Sequence, residues 1–339
     1  MRGPGAGFDP AEALRTWGIV GAAISPSSSG LNNESWFVDA ASGQYVLRLY
    51  AVGPSAAVEA EHALLARLRS AGLPFATPRP VGPVGSPATW AWIATLGEPR
   101  AAALFERIPG AHPDDADVAA VETAAEAFAR LDVALAPMST GRPAFTGWIE
   151  TVHPLVPDLE HLGELGPDGA AFVRRMRGAS ELRGSLQPRQ IIHGDFAFGN
   201  ILLGGGRVTG ILDFEVATED ARAAELGVAL RLVLSKSTRE RLWQPLLRGY
   251  LRAAPLSATE IDALPTIALQ HDAVVLAWWL GRFRSGLRDI RPLTQRVAEA
   301  LNRERWLADQ GPAIVAEARR LSSSATADRR PYGPVASDG

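Results

Sequence analysis

The chain has 339 residues, 47% of them hydrophobic and 21% charged, with a formal net charge of −3, the balance of a folded globular protein long enough for two lobes. It has no cysteine, which excludes disulfides, thiolate catalysis and cysteine-ligated zinc or iron–sulfur centres, and its near-neutral charge leaves no footprint for a nucleic-acid partner. The N-terminal residues lack a long apolar stretch and the run Ala273–Leu280 is too short to span a bilayer, so a cytoplasmic protein without a membrane partner is expected.

In chain order, residues 9–18 read as a short helix. A Ser-rich segment, Ile24–Gly30, then feeds two strands, Trp36–Val38 and Tyr45–Tyr50, with Gly43 at their turn. From Ala56 to Ala71 the apolar residues Ala60, Leu64, Leu65 and Leu68 recur at helical spacing, and the pattern stops at Gly72 before Pro74. Trp90–Ile93 and Ala101–Leu104 supply further strands, and Ala119–Leu135 is an Ala-rich amphipathic helix. Residues 137–190 are punctuated by Pro and Gly between helical pieces, and 225–320 are mostly helical in pattern. From Ser322 to Gly339 apolar periodicity ends, which predicts a disordered tail.

The chemistry concentrates in Ile191-Ile-His193-Gly-Asp195-Phe-Ala-Phe-Gly-Asn200-Ile-Leu-Leu203 and in Val208-Thr-Gly-Ile-Leu-Asp213-Phe-Glu215. The apolar runs Ile201–Leu203 and Val208–Leu212 flank three glycines, so they predict a tight hairpin with Asn200 and Asp213 at its mouth. One carboxylate and one amide oxygen suit a Mg2+ ion that keeps part of its shell for phosphate. Asp195 is then left to orient an acceptor hydroxyl and take its proton. Any one of these residues alone reads as an ordinary turn residue. Together they carry the spacing H-x-D-x-x-x-x-N of a kinase catalytic loop, with Gly194 where protein kinases have Arg.

These motifs resemble the aminoglycoside phosphotransferase and choline kinase superfamily. Within it, Ser29-Gly-Leu-Asn-Asn33, Tyr45-Val-Leu-Arg-Leu-Tyr50, Gly72-Leu-Pro74, Ala103–Gly110 and Asp213-Phe-Glu215 are most similar to the homoserine kinase-like (type II) branch. The resemblance implies an α+β, bilobal, protein-kinase-like fold. A small antiparallel-sheet lobe with one helix (1–104) would be followed by a hinge (105–110), a larger helical lobe with the catalytic loop and acceptor site (111–321), and the tail (322–339).

The same resemblance implies ATP and Mg2+ as cofactors and a hydroxyl-bearing small molecule as partner. Asp195 would be the catalytic base, Asn200 and Asp213 would hold Mg2+, and His193 and Glu225 would support the loop. Adenine would bind hinge backbone at Glu106 and Ile108, and Ser29 and Gly30 would approach the phosphates unless that loop is a plain turn. Arg48 stands where many relatives carry the phosphate-gripping lysine; the single lysine, Lys236, lies outside any such strand. Arginine can clamp phosphate through two donors, and the alternative is an outward-facing strand arginine. Glu61 is the expected ion-pair partner of Arg48, with Glu59 as rival.

For the acceptor, the basic aromatic segment Trp278–Arg288 favours an amino-acid-like or amino-alcohol molecule; the alternative places its tryptophans in the core. Aminoglycoside phosphorylation is the second reading within the enzyme class. A nucleotide-binding pseudokinase is the reading from another class.

Overall fold

The computed structural model describes residues 8–27, 33–51, 55–114, 117–139, 152–157, 163–286 and 291–328. The chain divides into two compact units. One holds Met1–Pro113, Thr140–Arg142 and Phe198–Ala217; the other holds Asp114–Ser139, Pro143–Ala197 and Thr218–Gly339.

In the first unit, helix α1 (Pro10–Leu14) starts at Asp9, whose carboxylate accepts from Ala11 N at 2.9 Å, with Pro10 at the first helical position. The strands are β1 (Ala23–Pro26), β2 (Glu34–Ala40), β3 (Gly43–Leu49), β4 (Pro80–Val81), β5 (Ala91–Ile93) and β6 (Arg100–Glu106), and α2 (Ser55–Leu68) follows β3. They pair antiparallel in the order β1-β2-β3-β6-β4, with β5 also on β6. One sheet face buries Val38, Leu47, Leu49, Ala102 and Leu104 with Leu14 and Trp17, and Trp17 Nε1 donates to the Val81 carbonyl at 2.8 Å. Because side chains alternate along a strand, burying Leu47 and Leu49 on that face turns Arg48 to the other.

The second unit contains α3 (Val118–Leu135), α4 (Gly166–Ser185) and β7 (Arg189–Ile192). The chain then leaves it for a hairpin, β8 (Ile201–Gly204) and β9 (Arg207–Ile211), and returns with β10 (Thr218–Ala221), α5 (Ala223–Leu234), α6 (Arg239–Ala253), α7 (Ala258–Arg284) and α8 (Arg291–Asp328). The hairpin groups with the N-terminal strands, whereas the reading by lobes set it in the helical part. The reason is backbone pairing: Ala76 exchanges two hydrogen bonds with β9 (Ala76 N to Thr209 O, 2.9 Å; Ile211 N to Ala76 O, 3.1 Å), and Ala111 and Leu203 exchange another two.

Two buried ion networks join the helices of the second unit. Arg183 binds Asp220 and Gln270, and Asp272 binds both Arg231 and Arg303. The tail expected from Ser322 is corrected at its start, since α8 continues to Asp328. Ser322 is buried, and its hydroxyl accepts from Leu256 N at 3.3 Å, so tertiary contact keeps a polar stretch helical that periodicity alone would release. Among the described residues no helix is long and apolar enough to cross a membrane.

Candidate active site

Strand β7 delivers His193, Gly194 and Asp195 at its C-terminal end. Gly194 has φ +79°, a left-handed conformation that a side chain resists, which explains glycine where protein kinases carry Arg. Its N–H donates to Glu225 Oε2 at 2.9 Å, and Asp195 N–H donates to His193 Nδ1 at 3.3 Å. His193 is fully buried, edge-on to Phe128 with ring centroids 5.2 Å apart. Its Nδ1 acts as an acceptor, so the ring braces the loop by hydrogen bonding and packing.

Beneath the loop lies a carboxyl pair that motif spacing does not reveal. Burial, opposed by the neighbouring His193 and by the Gly194 and His193 backbone N–H groups, raises the pKa of Glu225. Burial and then the Glu225 charge push Asp132 far above the carboxylate range. Tyr250 donates its hydroxyl to Asp132 Oδ2, and the remaining oxygens, Asp132 Oδ1 and Glu225 Oε1, are buried without a hydrogen-bond partner among the described residues. Buried together, the two carboxyls oppose each other's ionisation.

In the first unit, Leu212 N donates to the Asn200 carbonyl at 2.8 Å, closing the hairpin mouth so that Asn200 and Asp213 stand on adjacent strand ends. Asp213 is the one described non-glycine residue with positive φ, +66°. Asp tolerates that region better than most residues. Arg48 Nη1 lies 3.0 Å from Asp213 Oδ1 and 3.6 Å from Glu61 Oε1, so Arg48 does not point outward into solvent. Burial opposes its charge, but Asp213 and then Glu61 hold its pKa above the ordinary arginine value.

Asn200 and Asp213 are hard oxygen donors suited to Mg2+, and Asp213 already attracts a cationic group at Oδ1. Among the described residues no group of three or more His, Asp and Glu forms a metal cage of its own. An ion held here would need phosphate or water oxygens to complete its shell.

Glu61 is 2% exposed, whereas Glu59 is exposed. Two residues apart on a helix means about 200° of rotation, so only one of them can face β3. Burial, opposed by Arg48, pushes Glu61 from 4.5 up to about 7. A raised folded pKa places the stabilising contribution below the ordinary value and removes it as pH rises through about 7. Glu61→Gln is therefore expected to gain stability over the wild type by up to about 3 kcal/mol at mildly alkaline pH and nothing at acidic pH. Denaturant unfolding at the two pH values checks this.

Loop and hinge fare differently. Ser29 and Gly30 lie outside the described residues, but Asn33 is seen donating to Glu215 Oε2 at 2.6 Å and accepting from Ala51 N at 3.0 Å. At the hinge, Glu106 N–H is already given to the Arg79 carbonyl at 3.0 Å and Arg107 N–H to Gln44 O at 3.0 Å. The Glu106 carbonyl and the Ile108 backbone take no part in these two bonds. A cavity of about 430 Å³ lined by Leu68, Arg69, Phe75, Glu106 and Ile108 sits at the far end of α2 from Glu61. It contains none of Arg48, Glu61 or Asp213.

In the basic segment, Trp279 is buried and meets Trp278 edge-on at 5.3 Å. Arg284 is committed to Glu164 and the Leu155 carbonyl. Arg282 stacks over Trp278 at 4.9 Å, and Gly281 admits the His153 ring so closely that a Cβ there would lie 2.1 Å from it. Arg288 is outside the described residues. The segment is thus partly core, and Arg282 packs its guanidinium against an aromatic ring.

A family model described as "Phosphotransferase enzyme family" matches residues 23–261. A homoserine kinase from Neisseria meningitidis serogroup B is 26% identical over 296 residues, covering 83% of this chain and 87% of the relative. Among solved structures, a microcompartment-associated aminopropanol kinase superposes with a TM-score of 0.65 at 17% identity, covering 93% of this chain and 97% of its own. An amicoumacin kinase in complex with AMP-PNP, Ca2+ and Ami gives 0.64 at 13%, covering 94% of each. The fold is therefore protein-kinase-like.

Proposed function

The chain belongs to the phosphotransferase enzyme family, and from that premise we propose that it transfers the γ-phosphoryl group of ATP to a hydroxyl of an amino-acid-like or amino-alcohol acceptor, with homoserine as the first molecule to test. The reading rests chiefly on Asp195, presented by a glycine turn whose N–H is fixed by a buried carboxylate and followed at kinase spacing by Asn200 and Asp213.

In this reading Asp195 accepts the proton of the acceptor hydroxyl as the O–P bond forms. Asn200 and Asp213 would hold Mg2+, which when bound neutralises charge on the β- and γ-phosphates. Arg48 grips the phosphates in place of a lysine and is always charged. The hinge meets adenine through the Glu106 carbonyl and the Ile108 backbone.

Two observations support an acceptor with a carboxylate or compact polar end over a polycation. Arg282 carries positive charge at the aromatic end of α7, and the buried carboxylates Asp220, Glu260 and Asp272 are each bound to arginine, so these three are not offered to an aminoglycoside. The names of the curated relatives point the same way.

An ADP-release screen over homoserine, choline, short amino alcohols, sugars and aminoglycosides tests the reading. Turnover is expected with homoserine or a short amino alcohol. Best turnover with an aminoglycoside would replace the acceptor assignment, and ATP binding without turnover on any acceptor would favour the pseudokinase.

A further inference from the structure

The buried face of α2 carries more polar machinery than an Arg48–Glu61 pair requires. Tyr50, at the end of β3, is buried, and its hydroxyl donates to Glu61 Oε2 at 3.0 Å. The same hydroxyl lies 3.1 Å from His62 Nε2, and His62 Nδ1 lies 2.7 Å from Thr89 Oγ1. Burial, then the Arg48 charge, depress His62 to about 4, so its ring is neutral at neutral pH and has one N–H. With Glu61 ionised opposite Arg48, one proton assignment satisfies every contact: Thr89 donates to Nδ1, Nε2–H donates to the Tyr50 oxygen, and Tyr50 donates to Glu61.

The chain thus points in one direction, from a half-exposed threonine to the carboxylate beside Arg48. Its rings do related work. The Arg48 guanidinium lies 5.9 Å from the Tyr50 ring centroid and 6.0 Å from that of Phe105, and Phe105 in turn meets His62 edge-on at 5.5 Å. Without the Tyr50 hydroxyl, Glu61 Oε2 would be buried with no donor, and Glu61 would be free to turn its carboxylate away from Arg48.

We infer that Tyr50 is a positioning residue for nucleotide binding: through the hydrogen-bond chain Thr89–His62–Tyr50 it fixes Glu61, and through Glu61 it holds Arg48 where the phosphates arrive. This rests on the proposed role of Arg48 as the phosphate grip. Tyr50 touches neither nucleotide nor acceptor in this scheme.

The test compares wild type, Tyr50→Phe, Glu61→Gln, the double variant and Thr89→Val by calorimetric titration with Mg2+·ATP and by steady-state kinetics. Tyr50→Phe keeps the ring and removes only the hydroxyl. It is expected to raise the ATP Kd and KM roughly tenfold while leaving the acceptor KM unchanged. In the Glu61→Gln background the same change should add nothing, because the two residues act through one path. Thr89→Val, at the outer end of the chain, should raise the ATP Kd about threefold, and it preserves a readout even where Tyr50→Phe lowers stability.

An ATP Kd within about twofold of wild type for both Tyr50→Phe and Thr89→Val would overturn the inference. So would a Tyr50→Phe effect that persists in full in the Glu61→Gln background. Wild-type protein that fails to bind Mg2+·ATP would overturn the functional reading itself, and the inference with it.

Discussion

Replacing Asp195 by Asn is expected to cut turnover by roughly 10²–10⁴-fold while leaving ATP affinity within about twofold. The substitution removes the proton acceptor and keeps the shape. The loop contacts that hold the position are made by backbone, Asp195 N–H to His193 Nδ1 and Gly194 N–H to Glu225, so they survive the change. The unfolding temperature should move less than kcat, since both backbone contacts remain. Parallel measurement of kcat, ATP Kd and Tm separates this outcome from general damage, which would move all three.

Asp213→Asn is expected to lower kcat by about 10²-fold or more and to raise the Mg2+ concentration needed for half-maximal rate. Stability should change far less than activity. Asn accepts the positive φ of this position nearly as well as Asp. Moreover, Asp213 is one of the charges that raise the pKa of Glu61, so removing it lets Glu61 ionise more readily and take over as counter-ion of Arg48, 3.6 Å away. A Mg2+ titration of the rate, beside a thermal melt, reads both arms. A large fall in Tm with an unchanged Mg2+ requirement would assign Asp213 to the fold alone.

The sequence discloses this molecule unevenly, for physical reasons. His193, Asp195, Asn200 and Asp213 lie within one short stretch of chain, so spacing alone relates them. The strands β2 and β3 and the helix α2 follow from local periodicity and from turns at Gly43 and Gly72. What stayed hidden depends on docking. The resemblance alone prefers Glu61 to Glu59, because α2 packing decides which of them faces β3, and Tyr50 gains its meaning only when His62 and Thr89 come up beside it. Tyr50 did end a strand motif already of interest, and its hydroxyl next to a charged residue on a buried face was the available signal. Asp132 and Tyr250 reach Glu225 and the catalytic loop from α3 and α6, distances in sequence over which no pattern operates.

Two readings failed for the same reason. Polar composition from Ser322 onward suggested a tail, but Ser322 is buried against Leu256. The hairpin Phe198–Ala217 looked like part of the helical region because it follows the catalytic loop, yet its backbone pairs with Ala76 and Ala111. Chain order is a weak guide wherever long-range pairing decides. The basic aromatic segment falls between these cases: Arg284 is spent on Glu164, so part of the charge seen in sequence serves the fold.

The central claim is phosphoryl transfer from ATP to a hydroxyl by this catalytic loop, and phosphorus NMR of wild type and Asp195→Asn with ATP, Mg2+ and homoserine tests it most directly. A new phosphomonoester resonance growing in step with ADP is expected for the wild type and almost none for the variant. Equal phosphomonoester formation by both proteins would contradict it.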